Sequence, residues 1–93
     1  DSYVTLDAMA EIMKEYEATN FSIEGHTDNV GKPENNIELS AERALAIKTY
    51  LISKGINANR LNSQGFGAAK PIASNKTTAG KSANRRVEIK VVQ

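Results

Sequence analysis

Cysteine and tryptophan are absent from this chain of 93 residues, and histidine occurs once. Without cysteine there is no disulfide scaffold, no thiol nucleophile and no thiolate metal site. A lone histidine excludes a multi-histidine metal centre. Long apolar runs are missing too: the longest, such as Ala44-Leu45-Ala46-Ile47, reach four or five residues, far short of the roughly 20 that a spanning helix needs. No basic, apolar, small-residue segment opens the chain, so no signal peptide is expected. A start at Asp1 rather than Met points to a mature fragment or an excised domain. A metalloenzyme, a cysteine hydrolase and a membrane channel are all disfavoured. What is present suits one soluble domain: 40% hydrophobic residues for a single core and 25% charged residues for its surface.

The net charge of +1 hides an asymmetry. Residues 1–42 hold ten acids against Lys14 and Lys32, a balance of −8, whereas residues 43–93 hold ten bases against Glu88, a balance of +9. Either the halves fold together and neutralise each other, or a basic face meets an anionic polymer. Nucleic acid fits poorly. The aromatics are Tyr3, Tyr16, Tyr50, Phe21 and Phe66, three of them at expected core positions, while base stacking needs exposed rings.

Apolar residues at Leu6, Met9, Ile12, Met13 and Tyr16 predict a helix over 4–18 with one buried stripe. Ser2 or Thr5 is the candidate cap. Alternation through 21–26 predicts a strand burying Phe21 and Ile23. After a polar loop, Asn35 with Glu38, or Asn36 itself, can cap a second helix to Lys54. Ala44, Ile47 and Leu51 form its buried stripe, flanked by Ala41 and Tyr50, and Gly55 closes it. Residues 60–66 form a weaker strand, 67–84 a long loop with at most one helical turn, and the end a strand with Val87, Ile89 and Val91 on one side. The expected fold is an α+β or α/β sandwich with both helices on one face. Strand 21–26 and the helix after it form half of a βαβ unit. Loop 27–36 therefore sits at the carboxyl end of the sheet, where such folds bind ligands.

Asp28 follows the strand, and Arg43 stands about two turns into the helix, on the edge it shares with Ile47 and Tyr50. The arginine stem can lie on apolar surface and send its guanidinium to the crevice. Together the two groups suit a zwitterionic head with an ammonium and a carboxylate, since arginine grips a carboxylate through two parallel N–H bonds. The plainer alternative is an Asp28–Arg43 salt bridge that orders the loop.

Gly25-His26-Thr27-Asp28, then Gly31, Asn36, Leu39-Ser40, Arg43-Ala44 and Leu51, resemble the signature of the OmpA-like peptidoglycan-binding domain. Gly55-Ile56, Arg60-Leu61, Gly65-Phe66-Gly67, Pro71-Ile72, Asn75, Thr77, Gly80 and Asn84-Arg85-Arg86-Val87-Glu88 continue it across nearly the whole chain, residues 1–93. The resemblance narrows the expected fold to an α+β two-layer sandwich with a mixed sheet. It implies non-covalent binding of the cell-wall stem peptide through diaminopimelate, with Asp28 on the ammonium and Arg43 on the carboxylate. Asn36 adds hydrogen bonds, Thr27 and Leu39 line the site, and Arg85 or Arg86 stands beside it. It also implies a periplasmic domain of a Gram-negative outer-membrane protein, with the parent anchored in the membrane outside this segment and no catalysis, metal or cofactor. Family members usually begin with a hydrophobic strand before the first helix. This chain opens at the helix, so the sheet is expected to lack that strand and to expose an edge where a dimer could form. Ala68, where glutamate is common, and Lys81, where arginine is common, are lesser departures.

Enzymatic alternatives are weak. His26 has no nucleophile–base–orienter set around it, and Ser40 and Ser63 have no paired histidine. Asp28 with Glu24 or Glu34 could mimic a glycosidase pair, but all three lie in or near one loop. Gly65-Phe66-Gly67 lacks the following Lys-Ser/Thr of a phosphate loop. A module that contacts other envelope proteins remains the rival from a different class.

Overall fold

The computed structural model describes residues 2–92. Helix α1 (Ser2–Glu15) is followed by strand β1 (Asn20–His26) and helix α2 (Pro33–Ser53). A 3-10 turn (Ala58–Arg60), strand β2 (Leu61–Gly65), helix α3 (Thr78–Asn84) and strand β3 (Arg86–Val92) complete the order. The sheet runs β2-β1-β3, with β1 in the middle. It pairs parallel with β2, from Phe21↔Leu61 to Gly25↔Gly65, and antiparallel with β3, from Asn20↔Val92 to His26↔Arg86. The fold is thus α+β with a mixed sheet. The βαβ connection places the start of α2 at the carboxyl end of β1, as the sequence led us to expect.

Alternation divides the sheet into two chemistries. Phe21 and Ile23 point into a core with Ala10, Met13, Ala44, Leu51, Ile56 and Leu61. Ser22, Glu24 and His26 point the other way, beside Lys90, Glu88 and Arg86 of β3. α2 lies almost on the backbone of β1 and β2: a Cβ on Gly25 would stand 2.0 Å from the Ser40 carbonyl oxygen, and one on Gly65 2.3 Å from the Ala41 nitrogen. These glycines are needed for packing, which explains why Gly65-Phe66-Gly67 resembles a phosphate loop without being one. Pro33 occupies the first turn of α2, where its fixed φ and missing N–H are harmless.

Several expectations need correction. The buried stripe of α1 is turned towards Ala10 and Met13, whereas Ile12 and Tyr16 are 53% and 60% exposed. A small residue at position 10 lets the helix approach closely, and the faces are set by that contact. Thr5 lies inside the helix and caps nothing; the Ser2 side chain falls outside the described residues. Neither Asn35 nor Asn36 caps α2, since Lys32 holds that position without a side-chain bond. The loop 67–84 contains α3, two turns capped by the Thr77 hydroxyl, which accepts from Gly80 N–H at 2.9 Å. Its small polar residues gave no apolar period to read. Val91 faces solvent, 58% exposed, against the expectation that it would share a covered side with Val87 and Ile89. Among the described residues, β3 has no partner on its outer edge.

Candidate functional site

The loop between β1 and α2 is built by hydrogen bonds that converge on Asp28. Thr27 is buried: its N–H donates to Gly67 O at 2.8 Å and its hydroxyl to Asp28 O at 2.8 Å. Asn36, also buried, donates its amide to the same carbonyl at 3.4 Å. Gly31 takes φ +89°, the left-handed turn that brings the chain back to Pro33. Ser40 fixes the second wall, donating to Ile37 O at 2.9 Å and accepting from Gly67 N–H at 2.9 Å.

These contacts hold the Asp28 side chain at the carboxyl edge of the sheet. Its Oδ1 accepts from Val30 N–H at 3.0 Å, and its Oδ2 from Arg85 Nη1 at 2.7 Å. The Val30 amide, and then the Arg85 guanidinium, hold the carboxyl below the usual carboxylate range. Asp28 is therefore an anion throughout the neutral range. The plain alternative of an Asp28–Arg43 bridge does not form, because Arg85 takes that place from the other end of the chain.

Arg43 sits on the exposed edge of α2 with Ile47 and Tyr50, as its spacing predicts. It lines a groove of about 710 Å³ with Leu6, Ala46 and Val87. It has no ion-pair or hydrogen-bond partner among the described residues. Val87 lies two residues along the chain from Arg85, but neither Asp28 nor Arg85 lines the groove. Leu39 is exposed on α2. Of the two adjacent arginines, Arg85 is the one that pairs with Asp28. Arg86 bonds Glu88 Oε2 at 2.6 Å, Lys70 O at 2.9 Å and Asn84 O at 3.2 Å, and its guanidinium is a brace. Strand alternation carried that signal, since Arg86 shares a face with Glu88 and Lys90 while Arg85 does not.

Sequence reasoning missed two features. Asn84 is fully buried; its amide oxygen accepts from Ile72 and Ala73 N–H at 2.7 and 3.0 Å, and its NH₂ donates to Ala73 O and Asn75 Oδ1. It ties the loop before α3 to the root of β3, and so sets where Arg85 starts. His26 stacks on Phe66, with centroids 5.5 Å apart. The opposite charges of the two halves do meet within the fold, at Asp28–Arg85, Glu24–Lys90 and Asp7–Lys54.

Comparison with known proteins agrees with this architecture. A family model described as the OmpA family matches residues 1–85. The probable lipoprotein YiaD of Escherichia coli is 46% identical over 91% of this chain and 39% of its own. The peptidoglycan-binding protein ArfA of Mycobacterium tuberculosis is 40% identical over 96% of this chain and 27% of its own. The chain thus spans well under half the length of these relatives. Among solved structures, the peptidoglycan-associated lipoprotein of Burkholderia pseudomallei superposes with a TM-score of 0.93 at 28% identity, covering 99% of this chain and 79% of that one.

Proposed function

Because this chain belongs to the OmpA family, we propose that it binds peptidoglycan non-covalently and holds a larger envelope protein to the cell wall. A relative that bears the name peptidoglycan-binding protein, aligned over 96% of this chain, supports that reading. We further propose the diaminopimelate of the stem peptide as the group recognised. Arg43 is the observation that carries this finer reading. An arginine laid along apolar side chains, with no carboxylate partner among the described residues, offers its two-donor fork to a carboxylate from outside. Asp28 supplies the complementary charge. Its carboxylate has about four acceptor positions, of which Val30 and Arg85 use two, leaving room for an ammonium. Asn36 and Thr27 act on the ligand through Asp28, by holding its backbone. No nucleophile or acid–base pair accompanies this arrangement, which suits binding and not catalysis. The setting that fits is the periplasm.

The test is isothermal titration with a diaminopimelate-containing muropeptide, alongside sedimentation with isolated sacculi. Removing one partner of a desolvated charged pair costs about 2–5 kcal/mol. Asp28→Ala and Arg43→Ala should therefore each weaken binding at least tenfold, with the fold intact by circular dichroism. Unchanged binding by both variants would reject the assignment. A second reading, assembly with a protein, has the unpartnered edge of β3 in its favour. It predicts a concentration-dependent dimer in size-exclusion chromatography, abolished by Val91→Lys.

A further inference from the structure

The outward face of the sheet holds a cluster that wall binding does not use. Glu24 and Glu88 are directly opposed across β1 and β3. Two residues along β1, His26 lies on the same face. One ligand atom from each of the three lies within 4.8 Å of the others. His26 is 1% exposed, and neither ring nitrogen has a hydrogen-bond partner among the described residues. Its Nε2 stands 3.9 Å from Glu88 Oε2. Buried polar nitrogens are nearly always satisfied in folded proteins, so an imidazole aimed at two carboxylates, with nothing donated or accepted, calls for a partner.

We infer that Glu24, His26 and Glu88 form a binding site for a divalent transition cation of the zinc class. One imidazole and two carboxylates are a ligand set that such ions accept, with water completing the tetrahedron. Ligand atoms around a tetrahedral ion at about 2.1 Å lie roughly 3.4 Å apart, so closing onto the ion requires shifts below about 1 Å from the spacing found. Burial, and then the Arg86 charge, push the imidazole below its ordinary value, which leaves a nitrogen lone pair free at neutral pH. The expectation of no metal rested on missing cysteines and a lone histidine, and here carboxylates supply what those lack.

Other charges face the cluster. Arg86 Nε lies 2.6 Å from Glu88 Oε2, and Lys90 Nζ lies 3.2 Å from Glu24 Oε1 and 3.6 Å from Glu88 Oε1. Ser22 donates to Glu24 Oε2 at 3.4 Å. Lys70 lies over the Phe66 ring that covers His26. Lys90 is the competitor a metal would displace: its side chain is about half exposed and can turn to solvent. It should therefore weaken the site without abolishing it.

The experiment is a titration of the domain with ZnCl₂, read by calorimetry and by the NMR ring signals of His26, the sole histidine. The expected result is one equivalent bound, with a shift of those signals. Glu88→Gln should weaken binding by at least about tenfold. Lys90→Gln, at an exposed position and with the fold checked by circular dichroism, should tighten it on the order of fivefold by removing a competing charge. His26 signals that stay unmoved up to millimolar zinc would overturn the site. So would zinc affinity that is indifferent to Lys90→Gln, which marks binding elsewhere on the surface. Neither result bears on the wall-binding assignment, which is read with muropeptide and Arg43.

Discussion

The two flanks of the central strand are held in different ways. On the β2 side, α2 rests so near the sheet that Gly25 and Gly65 leave no room for a methyl group. On the β3 side, α1, α2 and β3 enclose an open groove, and charged pairs do the fastening: Asp28–Arg85 and Glu24–Lys90 between elements, Glu88–Arg86 within β3. The close-packed flank fixes the position of the loop between β1 and α2, and the looser flank presents Arg43. Rigid backbone contact cannot yield to a ligand, whereas a side chain over a groove can.

The largest expected effect breaks the tight flank. Gly65→Ala forces a methyl group into backbone atoms of α2, which should cost at least about 3 kcal/mol and lower the melting temperature by more than about 10 °C. A fall of only a degree or two would mean that α2 lifts freely, and that the contrast between the flanks is false.

The next effect belongs to the open flank. On the proposed diaminopimelate reading, a lysine-type stem peptide keeps the ammonium for Asp28 but leaves Arg43 without a carboxylate. Diaminopimelate-type fragments should bind more tightly by roughly 2–3 kcal/mol, the range for a hydrogen bond to a charged group. The difference should vanish in Arg43→Ala and persist, at lower affinities, in Asp28→Asn. Equal affinities for the unmutated domain would assign Arg43 to the loop instead.

Acid should separate the flanks more gently. Asp28 and Glu88 have folded pKa values below their ordinary ones. Their stabilisation is complete above about pH 4, the unfolded value, and disappears as pH falls through the lower folded values. Amide-exchange protection in β3 should therefore drop before that in β2 as pH is lowered from 5 to 3. Simultaneous loss would show that the flanks open as one unit. The smallest effect is a filling substitution. Ala46→Leu, in the groove wall, should change stability by less than about 0.5 kcal/mol, measured by urea denaturation.

The same contrast explains what could be read in advance. β1 and α2 were legible because alternation, a helical apolar period and a terminal glycine are local signals, although α2 was expected to start near Asn36 and starts at Pro33. The Asp28–Arg85 pair joins residues 57 positions apart, and no spacing rule reaches that far. The stripe of α1 was misjudged because tertiary contact, and not periodicity alone, decided that Ala10 went inside while Ile12 stayed out. Glu24 and His26 could be placed on one strand face from sequence, but Glu88 joins them only through the β1–β3 register. Asp28 and Arg43 were singled out together, and the structure pairs Asp28 with Arg85 while Arg43 lines a groove.

Arg60 carries a consequence for how this domain opens. Its guanidinium donates to Met13 O at 2.7 Å and Tyr16 O at 2.6 Å, and its Nε to Thr19 O at 3.0 Å, gathering carbonyls from the last turn of α1 and from the turn that follows it. A helix of 14 residues is marginal when isolated in water, so α1 depends on what holds its ends. Because the clamp comes from the turn leading into β2, fraying of the helix from its carboxyl end must first release a residue anchored beside the sheet. The first helix is thereby enrolled in the cooperative unit of the second strand, and the two should unfold in a single step under load.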